Sequence, residues 1–118
     1  MQSHRRLAYV IALSSCLSAL AAERKAVDGA GAVGCGKYLE VRRENDRASA
    51  LQFAQWSSGF LSSYNLFASE RPIPPDRMPD GATISAYLDK YCRANPLDKV
   101  YHGVVELLGE LGGRKPWP

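Results

Sequence analysis

The stretch RASALQFAQWSSGFLSSYNLF, residues 47–67, decides the fold class. Phe53, Trp56, Phe60, Tyr64 and Phe67 recur in steps of 3, 4, 4 and 3, and Leu61 widens the stripe. That spacing keeps large side chains on one face of a helix of about six turns, ~31 Å long. It predicts a helix over 47–67 whose aromatic face packs into a core. Gly59 and the serines at 57, 58, 62 and 63 are small and allow another helix to come close. Gly59 weakens the helix by about 1 kcal/mol relative to alanine, which points to a packing role for it.

The segments on either side repeat the pattern. Residues 36–44 (GKYLEVRRE) form a short amphipathic helix with Cys35, Tyr38, Leu39 and Arg42 at helical spacing, and Asn45-Asp46 break it and cap the next. Residues 69–81 (SERPIPPDRMPDG) hold four prolines and read as a stiff, exposed crossover loop. Residues 83–94 form a third helix on Ile84, Tyr87, Leu88, Tyr91 and Cys92, capped by Asp80 or Thr83. Asn95-Pro96-Leu97-Asp98 predicts a fourth helix start, with Asn95 as cap and Pro96 in the first position. Leu97, Val100, Val104, Leu107, Leu108 and Leu111 line its face, and Gly112-Gly113 stop it. With no alternating pattern of any length, the expected class is all-α, a compact four-helix domain over 35–113. Phe53, Trp56, Phe60, Leu88, Val104 and Leu108 are its expected core.

The ends differ in character. His4, Arg5 and Arg6 precede an uncharged run, Leu7–Leu20, followed by the small-x-small site Ala19-Leu20-Ala21. This is the layout of a cleaved signal peptide over 1–21. The run is shorter than the ~20 apolar residues of a membrane span. Export to the periplasm or beyond follows. Leu13-Ser14-Ser15-Cys16 offers a second reading, a lipoprotein anchored through Cys16, although the run stays apolar beyond that cysteine. Residues 22–34 are Gly/Ala-rich without periodicity and read as a flexible arm. Residues 114–118 read as a short tail with Trp117 loosely packed.

Of the 118 residues, 46% are hydrophobic and 23% charged, a globular composition for one domain. Without the leader, 13 Lys+Arg face 12 Asp+Glu, so the net charge falls from +3 to +1. Arg42-Arg43 and Arg114-Lys115 read as solvated pairs, and no basic patch suits nucleic acid. Two cysteines remain, Cys35 and Cys92, which are either a disulfide or two separate buried thiols. The even count after export favours the disulfide, worth about 4 kcal/mol by chain entropy.

Little points to catalysis. His102 is the sole histidine of the mature chain, beside the apolar face of the last helix, and reads as a boundary residue. Asp76 with Asp80 and Glu106 with Glu110 lack an acid/base partner. The expectation is a non-enzyme without cofactor or metal. Tyr64 and Asn65, leading into the loop, and its charged residues Arg71, Asp76, Arg77 and Asp80 are the candidates for binding a protein partner.

Three segments, Cys35-Gly36-Lys37-Tyr38-Leu39, Gln55 to Asn65 and Tyr87 to Pro96, together resemble the small exported Rap/Tai-type immunity proteins of bacterial type VI secretion. The resemblance covers residues 35–111, about two-thirds of the chain. It implies a periplasmic, all-α, disulfide-tied protein, often a homodimer, that blocks a cell-wall amidase effector through an exposed loop. Residues 69–81 occupy that place, proline-rich where the family has glycines. A second expectation is an acid chaperone similar to the HdeA-like periplasmic proteins. Protonating the 12 acids below about pH 4 would leave roughly +13 to open a dimer. A third is an accessory subunit of an envelope complex.

Overall fold

The computed structural model describes residues 25–68 and 70–118. The leader, its Cys16 variant and the first residues of the arm lie outside them. The described residues are all-α, with helices α1 (Cys35–Arg43), α2 (Arg47–Phe67), α3 (Gly81–Ala94) and α4 (Val100–Glu110) and 3-10 turns at Gly29–Ala32 and Pro75–Arg77. None of these helices is long and apolar enough to cross a membrane.

Local chemistry sets most boundaries where the sequence placed them. Asn45 turns the chain between α1 and α2 in a left-handed conformation, φ 58°, which asparagine tolerates. The Asp46 carboxylate then caps α2, accepting from the Ser49 N–H at 3.2 Å and its hydroxyl at 2.6 Å. Of the two candidate caps for α3, Asp80 serves, accepting from the Thr83 N–H at 2.7 Å. Gly112, at φ +94°, ends α4. Its N–H donates to Gly109 O while Gly113 N–H donates to Leu108 O, the paired bonds of a Schellman stop.

One buried cluster joins Tyr38 and Val41 of α1, Phe53 and Leu61 of α2, Ile84 and Leu88 of α3, and Val104 and Leu108 of α4. α3 and α4 touch closely at Gly103, where a Cβ would come within 2.9 Å of Leu88 and 2.8 Å of Tyr91. Cys35 and Cys92 are bonded and fully buried, with Cα atoms 4.9 Å apart, closing a sequence separation of 57. Beside them, Arg42 donates to both oxygens of Asp89 at 2.9 and 3.0 Å, and the Tyr38 hydroxyl donates to the same carboxylate at 2.8 Å. Burial pushes the Asp89 carboxyl up, but these hydrogen bonds and the charges of Arg42 and Arg93 outweigh it and hold it below its ordinary value.

Several expectations need correction. The fourth helix does not start at Asn95. That residue closes α3, its side chain donating to Tyr91 O at 3.0 Å, and α4 begins at Val100. The reason is long-range. Asp98 O accepts from Cys35 N–H at 2.8 Å and Val33 O from Val100 N–H at 2.9 Å, an antiparallel bridge that holds Lys99 extended, while Pro96-Leu97 form a turn closed by Asp98 N–H donating to Asn95 O at 3.1 Å. Leu97, expected on the apolar face, is 98% exposed. The arm expected to be flexible is docked from Asp28 onward. Asp28 O accepts from the Trp56 indole at 3.0 Å, and Gly31 is so close to the ring that a Cβ would sit 2.2 Å from it.

The aromatic stripe of α2 is only partly core. The buried residues are Phe53, Ala54, Ser57 and Leu61, a face rotated by roughly 75° from the stripe at 100° per residue. Trp56 and Phe60 stack on the flank at 5.6 Å, half-buried, and Phe67 is 85% exposed. Gly59 is exposed with nothing within 4 Å of a Cβ, so it has no packing role. Of the serines at 57, 58, 62 and 63, Ser57 is the buried one, its hydroxyl donating to Phe53 O at 2.7 Å. In the proline loop Ile73 is buried, and the C-terminal tail is seated, Lys115 pairing with Glu106 at 3.0 Å and Trp117 edge-on to Tyr101 and His102.

Candidate partner-binding site

The end of α2, the proline loop and the start of the tail meet at one edge. Tyr64 joins all three. Its hydroxyl donates to Arg71 O and accepts from Arg114 N–H, both at 2.7 Å. Asn65 fixes the loop one residue further on. Its Oδ1 accepts from Ile73 N–H at 2.8 Å and its Nδ2 donates to Ile73 O at 3.1 Å, so one side chain satisfies both backbone groups of the buried isoleucine. Arg77 donates from Nη2 to Glu110 O at 3.0 Å, covering the end of α4.

The six candidates therefore divide. Tyr64, Asn65, Arg77 and Asp80 are engaged in the fold's own bonds and act as scaffold. Arg71 and Asp76 are exposed, and neither forms an ion pair among the described residues. Tyr64 and Asn65 thereby hold the loop in place at Arg71 and Ile73.

What the periodicity missed lies beside these residues. Leu66 is 79% exposed and Phe67 85%, consecutive large apolar side chains in the last turn of α2. The sequence signal for Phe67 placed it in the stripe and so pointed inward. The N-terminal turn covers that stripe at Trp56, but among the described residues no element covers Phe67 three turns later. Phe67, Tyr64, Ala68, Glu70, Arg71 and Arg114 line a shallow hollow of about 270 Å³. Arg71 and Arg114 also border a second hollow of about 520 Å³ between the tail and α4, with Glu106, Glu110, Lys115 and Trp117. The Arg114–Glu70 pair, at 2.8 Å and largely exposed, contributes little to stability.

The hydrogen bond from Lys115 holds the Glu106 carboxyl below its ordinary value, against a smaller opposing effect of burial. His102 accepts through Nδ1 from the Lys99 N–H at 3.2 Å, a structural role at the start of α4. Among the described residues no group of three or more His, Cys, Asp and Glu side chains is arranged to hold a metal ion. Compared with known proteins, the chain matches no family model, no curated protein and no solved structure.

Proposed function

We propose that this protein is an exported, non-enzymatic module that binds a protein partner through the edge formed by Leu66, Phe67 and Arg71. The carrying observation is the exposed Leu66-Phe67 pair beside a loop pinned by Tyr64 and Asn65. Contiguous exposed apolar side chains mark interaction surfaces. Aromatic and arginine anchors supply most binding energy at such surfaces. A pinned loop loses little conformational entropy on docking. The chemistry fits a partner with an apolar pocket for Phe67 and a carboxylate for Arg71. In keeping with the Rap/Tai resemblance, that partner is a cell-wall amidase effector, which the bound module inhibits. The buried Cys35–Cys92 bond is compatible with the oxidising compartment that this reading requires.

The test is capture from periplasmic extract with the mature chain at pH 7 and at pH 3. One stoichiometric partner at pH 7, with amidase activity that the module suppresses, is the expected result. Many clients held only at pH 3 would replace this reading with the acid chaperone.

A further inference from the structure

At the other end of α2 the fold assembles a feature that the chain order disperses. Arg42 and Arg43 close α1 and Arg93 lies in the last turn of α3, yet all three line one cleft of about 340 Å³ with Leu39 and Asp89. Arg42 is held by its two bonds to Asp89 through Nε and Nη2, so its guanidinium plane is fixed and Nη1 has no protein partner among the described residues. Arg43 and Arg93 are exposed and form no ion pair among the described residues. Three guanidiniums against one carboxylate leave the cleft at +2.

We infer that this cleft binds the phosphate-monoester group of a small molecule or lipid headgroup. A phosphomonoester carries between about −1.5 and −2 at neutral pH, which matches the charge of the cleft. Arginine forks suit its oxygens, and a guanidinium already oriented by Asp89 loses less freedom on binding. Leu39 adds an apolar wall for the esterified carbon part, which inorganic phosphate lacks. The inference stands apart from the partner edge, since its residues lie on α1 and α3 and not on the loop.

The experiment titrates the mature chain, with its disulfide intact, with inorganic phosphate and with phenyl phosphate, following the arginine Nε–H resonances at constant ionic strength. Saturable shifts of Arg43 and Arg93 are expected, with phenyl phosphate the tighter ligand. Arg43→Gln and Arg93→Gln should each weaken binding about tenfold with little change in the thermal midpoint, because neither side chain forms a hydrogen bond or ion pair among the described residues and Arg42 still holds Asp89. In parallel, the chain is sedimented with phosphatidylcholine vesicles with and without phosphatidic acid. Sedimentation that needs phosphatidic acid and is lost in both variants identifies the lipid headgroup as the source. Absence of saturable shifts and of vesicle binding would overturn the inference. So would shifts reproduced by sodium chloride, or binding indifferent to both substitutions.

Discussion

Replacing Asn65 by alanine isolates the device that shapes the partner edge. The substitution removes the acceptor for Ile73 N–H, at 2.8 Å, and the donor to Ile73 O, at 3.1 Å. Ile73 is 2% exposed, so its backbone groups cannot both turn to water without moving the side chain out of the core. A buried polar group left unpaired costs about 1–3 kcal/mol. Water entering the space of the lost amide lowers that figure, and about 2 kcal/mol is expected for the two together. For a domain of this size, that shifts the thermal midpoint down by on the order of 10 °C. Asn65→Asp keeps the acceptor but places a carboxylate against Ile73 O. Its deficit relative to wild type should shrink as pH falls below about 4, where the protonated acid can donate again. Urea unfolding of the three proteins gives the free energies, and amide exchange at Ile73 reports the pin itself. An Asn65→Ala loss below about 0.5 kcal/mol, or an unprotected Ile73 amide in the wild type, would refute the reasoning.

Other perturbations have equally definite outcomes. Replacing both Cys35 and Cys92 by serine should reduce stability by about 4 kcal/mol in urea titration, from the loop the bond closes. Gly31→Ala drives a Cβ to 2.2 Å from the Trp56 ring. It should cost about 1–3 kcal/mol with a change in tryptophan emission. Gly59→Ala, in open space on α2, should instead stabilise by up to about 1 kcal/mol. Asp89 is held below its ordinary value of 3.8 in the folded chain. Its contribution is therefore complete above that pH and is lost as pH falls through the lower folded value. Asp89→Asn should flatten this acid limb in unfolding curves collected between about pH 5 and pH 2, although the capping carboxylates Asp46 and Asp80 shift the same way and retain part of it.

Local signals read well from the sequence because they act within one turn. Asp46, Asp80 and Gly112-Gly113 end or begin helices by bonds to neighbours three to five residues away. The even cysteine count after export favoured the Cys35–Cys92 bond over two separate thiols, and the fold forms it. What the sequence did not disclose depends on partners far along the chain. Asn95-Pro96 has the composition of a helix start, yet Asp98 and Val100 are bonded to Cys35 and Val33, more than 60 positions earlier, and Lys99 is held extended between them. The Gly/Ala arm has no periodicity, and Gly29 and Gly31 are needed because Trp56 lies over them, with Gly29 also at φ 74°. Phe67 shares a stripe with Phe53, but among the described residues the stripe outruns the elements that cover it. Arg42-Arg43 looked like solvated surface until α3 brought Arg93 alongside.

The central claim is that Phe67 faces a dedicated partner. It is tested most directly by placing a photoreactive benzoylphenylalanine at position 67 and, in a separate protein, at position 97. Both positions are highly exposed, but Leu97 lies on the α3–α4 turn, away from the pinned loop. Irradiation in cells should crosslink position 67 to a single protein of defined mass and leave position 97 free. No adduct at 67, or the same mixture of adducts from both positions, would contradict the assignment of this edge as the partner-binding site.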